Sequence, residues 1–296
     1  MNWPDSVVIT EVGPRDGLQN EANAIQLADK IRLIDALSHT GLRRIEAASF
    51  VHPKAIPQMA DAAELMQEIE RRDGVTYAAL VPNQVGARNA LAARADEIAV
   101  VVSASESHNK ANINRSVPET MEEIHGIAAL CADAGVPWTG YISTAFGCPY
   151  EGVVDPEAVL ALARQLLDAG AGAIALGDTI GIAEPRQVFA LSERCADIVG
   201  AERLRMHFHD TRGRALANVV AAMQADVAQF DGSIGGLGGC PYAPGASGNV
   251  ATEDMVSMLE AMGIRTGVDM EALLGVARLA EEVVGRSLDG RVKRTQ

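Results

Sequence analysis

The sequence lacks any uncharged apolar run of about 18 residues, the length that a membrane-spanning helix requires. Its first residues, Met1 to Asp5, also lack the basic and apolar segments of a signal peptide. Basic residues are few, since 25 Lys and Arg stand against 39 Asp and Glu, for a formal net charge of −14 at pH 7. Non-specific binding to nucleic acid or to a membrane surface needs a positive field. We therefore expect a cytoplasmic protein that binds neither.

Cysteine is also scarce. The four cysteines form no C-x-x-C pair and show no disulfide framework, so free thiols in a reducing compartment are expected. Cys131 and Cys195 fall within helical patterns and are expected in the core. Cys148 and Cys240 each precede Pro-Tyr in glycine-rich loops, so the sequence does not assign these two thiols to the core.

No G-x-G-x-x-G phosphate-binding turn follows the first apolar run. This absence argues against a doubly wound open sheet, the main alternative for a chain in which apolar runs alternate with amphipathic helices. Eight strand–helix units of about 30 residues each favour an α/β fold of the (β/α)8 TIM barrel type. The predicted strands are 7–12, 44–48, 77–81, 98–103, 140–144, 173–178, a seventh from Leu204 to His207, and 227–234.

Amphipathic spacing predicts the helices that follow these strands. They cover 25–40, 60–72, 83–93, 118–134, 156–169, 185–199 and 215–225. The segment from 251 to about 286 is also helical in pattern and would pack as an addition to the barrel. The expected organisation is a single barrel domain over 1–296, with 251–296 as a C-terminal helical addition.

Active sites of such barrels lie at the C-terminal ends of the strands. Polar side chains gather at those predicted ends, which favours an active site there. The set comprises Arg15 and Asp16 after the first strand, Glu46 and Ser49 at the second, Ser143 at the fifth, Asp178 and Thr179 at the sixth, His207 and His209 at the seventh, and a glycine-rich loop over 235–240 that continues to Asn249 after the eighth.

The histidine pair predicts a metal site. His207 and His209 are two positions apart in a strand, so their side chains point to the same face. Alone, this pair could equally be two hydrogen-bonded core histidines. Asp16 adds an anionic oxygen and Asn249 a neutral one, and mixed oxygen and nitrogen ligands suit Mg²⁺ or Mn²⁺. Zn²⁺ with a Cys240 thiolate is the alternative.

Three residues at the same rim have chemistry suited to catalysis. Arg15 could stabilise an enolate as negative charge develops, or could simply form an ion pair with Asp16. Glu46 could support the metal site from behind, or could be a buried carboxylate paired with an arginine. Cys240 lies in a glycine-rich loop that could close over a ligand, so its thiol could act as a general acid or base, or could face solvent.

Long, ordered segments between about residue 5 and residue 285 carry a family resemblance. They are 11–21 (EVGPRDGLQNE), 45–46 (IE), 49–51 (SFV), 147–152 (GCPYEG), 176–181 (LGDTIG), 207–211 (HFHDT), 236–242 (GLGGCPY), 245–249 (GASGN) and 251–254 (ATED). On these segments the chain resembles the 3-hydroxy-3-methylglutaryl-CoA lyase family, within the wider group of barrel metal-dependent lyases and Claisen-type synthases.

The resemblance implies a role for each site residue. The residues similar to the family's metal ligands are Asp16, His207, His209 and Asn249. Glu46 resembles the residue that holds a water molecule on the metal, and Arg15 the arginine that polarises the thioester carbonyl. Cys240 resembles the catalytic cysteine. Ser49 and Thr179 are expected to bind the free carboxylate of the substrate.

The implied reaction is a retro-Claisen cleavage of an acyl-CoA thioester to acetyl-CoA and acetoacetate, with Mg²⁺ or Mn²⁺ as cofactor and a homodimer as the assembly. Asn112 and Asn114 stand where the family contacts the CoA arm. The loop at 107–111, Arg212 and Arg214 depart from the family pattern. These departures lie at the barrel mouth and outside the metal site, so they bear on the preference for the acyl group.

Other functions stay open on the sequence alone. One is a lyase for citramalyl-CoA or for a longer-branched hydroxyglutaryl-CoA. A second is a Claisen-type synthase, although such enzymes usually carry long C-terminal extensions. A metal hydrolase is a third, because H-x-H also occurs in that class, and a non-enzymatic barrel that only binds ligands is the fourth.

Overall fold

The structure is a computed structural model that describes residues 3–239 and 248–295. Over those residues eight parallel strands pair in chain order and close into a barrel through the contact of the last strand with the first. The prediction of a (β/α)8 TIM barrel is therefore confirmed. The strands are β1 Val8–Glu11, β2 Arg44–Ser49, β3 Thr76–Leu80, β4 Glu97–Ser103, β5 Trp138–Ser143, β6 Ala173–Asp178, β7 Leu204–Phe208 and β8 Gln229–Gly232.

Helices cover the outside of the barrel. They are α1 Leu27–Ser38, α2 Ala62–Glu68, α3 Gln84–Ala92, α4 Glu106–Ile113, α5 Val117–Ala134, α6 Pro156–Asp168, α7 Pro185–Val199, α8 Ala215–Met223, α9 Thr252–Ala261 and α10 Met270–Val284. Their ends follow local sequence signals. In α5, for example, Ser116 and Glu119 form a capping box and Gly135 ends the helix in the left-handed conformation.

One helical segment differs from the prediction. The stretch 107–111, expected as a loop, lies within α4, because the Ser105 hydroxyl accepts a hydrogen bond from the His108 N–H and starts a helix of weak apolar periodicity. The C-terminal helical addition expected from 251 consists of two helices, α9 and α10. Gly263 and Gly267 adopt left-handed backbone conformations between them, which an α-helix cannot contain.

A cluster of charged side chains lies inside the barrel near the N-terminal ends of the strands. An Arg44 guanidinium nitrogen lies 2.8 Å from Glu97 Oε2, and an Arg205 nitrogen lies 3.5 Å from Glu97 Oε1. Thr139 Oγ1 donates to Glu97 Oε1 at 2.7 Å. We call Arg44, Glu97, Thr139 and Arg205 the lower cluster. It neutralises charges that would otherwise be buried without partners.

The helical shell contains the cysteines that the sequence assigned to the core. Cys131 and Cys195 are buried, as expected, and these two and Cys148 are free thiols. Across 3–239 and 248–295, no helix is both long and apolar enough to cross a membrane. The assignment of the whole chain to one domain stays a prediction.

Candidate metal centre and active site

A short helical turn, Gly13–Gly17, follows β1 and carries Arg15 and Asp16. The Val12 carbonyl accepts hydrogen bonds from the Arg15 and Asp16 N–H groups, the latter at 2.7 Å. Glu11 Oε1 accepts a further bond from the Gly13 N–H at 2.7 Å. The turn is thus fixed by its own backbone, and it places both functional side chains at the C-terminal end of the strand.

Asp16 meets the two histidines of β7 at this end of the barrel. The imidazole rings of His207 and His209 have centroids 5.2 Å apart, in agreement with side chains on the same face of the strand. One ligand atom from each histidine and one from Asp16 all lie within 4.8 Å of one another. The buried His209 Nδ1 has no hydrogen-bond partner among the described residues. This set of donors fits a divalent cation.

Asn249 joins the same group through the backbone. It forms an isolated antiparallel bridge with His209, which brings the segment after the glycine-rich loop beside β7. Its side-chain nitrogen donates to Asp16 Oδ2 at 2.8 Å and to the Leu237 carbonyl at 3.1 Å. Its Oδ1 is buried and lacks a partner within the described part of the chain. An amide oxygen is therefore left over beside Asp16.

Asp231 of β8 orients one histidine from behind. Its Oδ2 lies 3.2 Å from His207 Nδ1, so a proton on Nδ1 is held there and Nε2 is left as the ring atom with a lone pair. Burial would lower the pKa of His207, but the hydrogen bond and the charge of Asp231 raise it. Sequence reasoning missed Asp231. The alternation of Gln229, Asp231 and Ser233 with apolar residues could have shown that it faces inward.

Arg15 links two carboxylates. Its Nε donates to Glu46 Oε1 and its Nη1 donates to Asp16 Oδ1, the latter at 2.5 Å. The side chain of Glu46 is buried, and β2 has a register irregularity between Glu46 and Ala48. Burial opposes the charge of Arg15, but both carboxylates raise its pKa and keep it a cation. The ion pairs expected as one alternative for Arg15 and Glu46 are thus present. The same arrangement also leaves Arg15 at the cleft, as the catalytic alternative requires.

The protonation states also suit a metal site. Burial would raise the pKa of Asp16, but the nearby Arg15, His207 and His209 lower it well below its ordinary value, so it is a carboxylate. Burial and the neighbouring His207 lower the pKa of His209 to about 4. His209 is thus neutral near pH 7 and has a lone pair to donate. Burial raises the pKa of Glu46, against the effect of Arg15.

A cleft of about 1150 Å³ opens above these groups. Arg15, Asp16, His207 and His209 line its inner end, together with Ser143 and Thr179, and Asn112, Asn114 and Arg115 also line it. Ser49 is fully buried and is not among the lining residues, so its carboxylate contact stays a prediction. Cys240 lies outside the described residues. Gly239, which precedes it, lines the cleft.

Asp178 has a structural partner set of its own. Its two carboxylate oxygens accept hydrogen bonds from the Ile182 and Ala183 N–H groups, which closes the loop after β6. Burial raises its pKa to about 6 in spite of these bonds. Thr179, the next residue, accepts a bond from the Thr144 N–H at 2.8 Å and faces the cleft. Asp178 therefore stabilises the loop after β6, whereas Thr179 faces the cleft.

The fold and the site together define a TIM-barrel protein with a candidate divalent-metal centre at the C-terminal ends of its strands. The HMGL-like family model matches residues 6–280. The chain belongs to this family, and the resemblance predicted from the sequence is confirmed.

Individual relatives support this family assignment. The chain is 51% identical over 291 residues to hydroxymethylglutaryl-CoA lyase YngG of Bacillus subtilis, covering 98% of this chain and 97% of that protein. It is 48% identical, with the same coverage, to the 3-hydroxy-3-isohexenylglutaryl-CoA/hydroxymethylglutaryl-CoA lyase of Pseudomonas aeruginosa. The structure of an HMG-CoA lyase from Acinetobacter baumannii in complex with coenzyme A and 3-methylmalate has a TM-score of 0.95 and 40% identity, over 99% and 96% of the two chains.

Proposed function

We propose that this protein is a divalent-metal-dependent acyl-CoA lyase that cleaves 3-hydroxy-3-methylglutaryl-CoA to acetyl-CoA and acetoacetate. The observation that carries the proposal is the meeting of Asp16, His207 and His209, with ligand atoms within 4.8 Å of one another, in a large cleft beside the Arg15 guanidinium. Relatives at 51% and 48% identity have lyase names, and the Acinetobacter baumannii relative binds coenzyme A.

Mg²⁺ or Mn²⁺ is the proposed cofactor, held by Asp16, His207, His209 and Asn249. The donor set is two nitrogens and at least two oxygens, a mixture that suits these ions in octahedral geometry. A bound cation supplies positive charge that polarises the oxygens of the substrate. Asp231 holds the His207 ring in the required tautomer, and Zn²⁺ is the alternative that the metal titration below tests.

Arg15 is the proposed stabiliser of the enolate. As the C2–C3 bond breaks, its electron pair moves onto the thioester and the carbonyl oxygen becomes negative. A preorganised cation at that point is worth more in the transition state than in the ground state. Glu46 and Asp16 hold the guanidinium from two sides, so it does not need to reorganise during the reaction.

Proton transfer completes the reaction. The C3 hydroxyl loses its proton to a base as its oxygen becomes the ketone of acetoacetate. The enolate carbon of acetyl-CoA then gains a proton, and the Cys240 thiol is the proposed donor, either directly or through a relay. Thr179 and Ser49 are the proposed contacts of the free carboxylate, and Asn112 and Asn114 those of the CoA arm. A homodimer and a cytoplasmic location stay predictions.

The test is acetyl-CoA production from a panel of thioesters. We expect cleavage of 3-hydroxy-3-methylglutaryl-CoA, loss of activity with a chelator, and recovery on addition of Mg²⁺ or Mn²⁺. Parallel additions of Zn²⁺ test the alternative ion. Hydrolysis of a nitrophenyl ester without acetyl-CoA formation would indicate a hydrolase, and condensation without cleavage would indicate a synthase. No turnover of any thioester would contradict the proposal.

A longer-branched substrate is the second candidate. The Pseudomonas aeruginosa relative is named for 3-hydroxy-3-isohexenylglutaryl-CoA as well as for the methyl compound. The panel should therefore include that thioester and citramalyl-CoA, and the ratio of their kcat/KM values to that of the methylglutaryl thioester decides the preference.

A further inference from the structure

Three polar side chains form a hydrogen-bonded chain on the wall of the cleft opposite the metal ligands. Ser103 and Ser143 end β4 and β5 and are register partners, and their hydroxyl oxygens are 2.8 Å apart. Ser103 Oγ is also 2.7 Å from Nδ1 of His108 in α4. The connected chain is therefore His108, Ser103 and Ser143, and the proposed mechanism uses none of the three.

Ser143 shares the cleft with the metal ligands. Gly177 is next to Ser143 on β6, since Ile142 and Leu176 are register partners, and Gly177 is in turn the register partner of His207 on β7. No side chain intervenes, because the residue between them is glycine. At about 4.8 Å between neighbouring strands, Ser143 is about 10 Å from His207 along the wall, within the span of a short acyl chain. Both residues line the cleft.

The inner part of this hydrogen-bonded chain is buried and is held by further hydrogen bonds. Ser103 is 1% exposed and His108 2%, whereas Ser143 is only half-buried. The Ser103 N–H donates to Asn109 Oδ1 at 3.0 Å, and the Asn109 amide nitrogen donates to Thr120 Oγ1 at 2.7 Å. These bonds fix α4 on the end of β4, so the position of the His108 ring relative to Ser103 is set by the fold.

The tautomer of His108 decides which atoms donate and which accept along the hydrogen bonds from His108 through Ser103 to Ser143. Burial lowers the pKa of His108, so the ring is neutral near pH 7 and has one N–H. If that proton is on Nδ1, it is donated to Ser103, the Ser103 proton is donated to Ser143, and the Ser143 proton stays available. If the proton is on Nε2, Ser103 donates to Nδ1 and Ser143 must donate to Ser103.

The competing acceptor for the Ser143 proton is weak. Among the residues that the structure describes, the other acceptor near this hydroxyl is the Val102 carbonyl at 3.4 Å, a long distance for an O–H donor. A carboxylate oxygen in the cleft would make a shorter, charge-assisted bond. Thr179, proposed above as a carboxylate contact, lies on the same wall, because the Thr144 N–H that follows Ser143 donates to its hydroxyl.

We propose that Ser143 donates a hydrogen bond to the free carboxylate of the acyl group and that His108, acting through Ser103, is the positioning residue that keeps Ser143 a donor. This inference rests on the proposed function and adds a specificity contact to it. The Nδ1–H tautomer of His108 commits the Ser103 proton to Ser143 and leaves Ser143 to the ligand. The unit therefore selects acyl groups that present a carboxylate oxygen at this wall.

Kinetics of the holoenzyme test the contact. Ser143→Ala should lower kcat/KM for 3-hydroxy-3-methylglutaryl-CoA by about tenfold to a hundredfold, as loss of a bond to a charged group does, mainly through KM. His108→Phe should lower it by about fivefold or more, whereas His108→Asn, whose amide can donate to Ser103, should recover most of the loss. His108→Phe in the Ser143→Ala background should cost nothing further, because the two residues act as one unit.

The tautomer itself provides a readout that does not depend on turnover. With Mg²⁺ and 3-hydroxy-3-methylglutarate bound, ¹⁵N spectra of histidine-labelled protein should show the His108 proton on Nδ1. His108→Asn identifies the signal among the six histidines. His125→Phe, an exposed substitution in α5 outside the cleft, is the matched control and should match wild type in kcat/KM and melting temperature.

The outcomes separate the two proposals. Wild type that cleaves no thioester would overturn the proposed function. If wild type cleaves the substrate and both Ser143→Ala and His108→Phe have the same kcat/KM as wild type, only the inference about Ser143 and His108 is overturned. Additive losses in the double variant, or a proton on Nε2 in the ligand complex, would overturn the role of His108 while leaving Ser143 as a contact.

Discussion

Two buried ion clusters lie one above the other in the same barrel, and they differ in which atoms remain without partners. We call Arg15, Asp16, Glu46, His207 and His209 the upper cluster. In the lower cluster, the atoms without hydrogen-bond partners in the described chain are Arg44 Nε and Arg205 Nε, which are N–H donors. Around the upper cluster they include His209 Nδ1, Asn249 Oδ1 and Asp231 Oδ1.

This difference separates a structural cluster from a functional one. N–H donors cannot bind a cation, so the arginines of the lower cluster leave nothing for a metal to contact. Beside the upper cluster, Asn249 Oδ1 and Asp231 Oδ1 have electron pairs to share, and the neutral ring of His209 has one on one of its two nitrogens. Both places hold ion pairs inside the barrel, so the chemistry of the atoms without partners, together with the position at the C-terminal strand ends, distinguishes the candidate metal site.

The largest expected effect is on stability, from the lower cluster. Glu97→Gln removes the negative charge shared by the partly buried Arg44 and the buried Arg205 and leaves both cations without their ion-pair partner. We expect the free energy of unfolding to fall by about 3–5 kcal/mol. Mn²⁺ affinity of the folded protein should be unchanged, because no proposed ligand contacts Glu97. Denaturant unfolding and calorimetric metal titration measure the two quantities.

The matched control is the exposed ion pair of Arg32 with Glu282. Glu282→Gln should barely move the unfolding midpoint, because solvent already screens that pair. If Glu97→Gln is as mild as this control, or if it weakens Mn²⁺ binding, the proposed division between the two clusters is wrong.

The next effect is on catalysis, from the upper cluster. Arg15→Gln should lower kcat by about 10²- to 10³-fold, the usual cost of losing a group that stabilises a developing oxyanion. Mn²⁺ binding should persist, since Asp16 and both histidines remain. Steady-state acetyl-CoA release and metal titration measure these. Nearly normal turnover would contradict the role of Arg15 and would leave it as a structural ion pair.

A smaller effect is expected for Asp231, which contacts one of the proposed metal ligands from behind. Asp231→Asn keeps the size of the side chain but weakens its hold on the Nδ1 proton of His207. We expect Mn²⁺ affinity to fall by about 10- to 100-fold, as for other carboxylates that orient a metal-binding histidine. Competition with a coloured chelator measures this affinity without turnover. An unchanged affinity would show that the Asp231 contact is only structural.

The smallest effect concerns Glu11, the buried carboxyl beneath the turn of Arg15 and Asp16. Burial raises its pKa to about 8, against hydrogen bonds from Thr252, Ile234 and Gly13. At a pH between the ordinary pKa of 4.5 and about 8, Glu11 is protonated in the folded protein and ionised in the unfolded protein. The free energy of unfolding therefore falls as the pH rises through this range. The slope is up to about 1.4 kcal/mol per pH unit.

Glu11→Gln tests this slope. The variant cannot titrate, and its amide can donate to the Thr252 hydroxyl, which now donates to Glu11 Oε2 at 2.6 Å. Its unfolding free energy should therefore decrease less between pH 6 and pH 7 than that of wild type. Asp178 and Glu253, whose pKa values burial raises to about 6 and about 7, titrate in both proteins and cancel in the comparison. Parallel slopes would mean that Glu11 is already ionised.

The strand ends show how far sequence reasoning reaches. The predicted and observed boundaries of β6 are the same, and Asp16, His207 and His209 come together as expected. Strand alternation and the barrel rule are sufficient for that. They did not find α4, because its apolar pattern is weak, and they therefore missed the contact of His108 with Ser103. They also gave no sign that Ser49 is fully buried.

The order of strands and helices, and the presence of acidic, basic and imidazole groups at one rim, follow from the sequence by itself. These features depend on local periodicity, which needs no knowledge of distant contacts. Only the tertiary structure decided the partners: Glu46 for Arg15, Asp231 for His207, and Glu97 for an arginine 108 residues further along the chain. Such pairs depend on strand register and on closure of the barrel. These bring together side chains that are far apart in the sequence, and their spacing in the sequence does not predict that they touch.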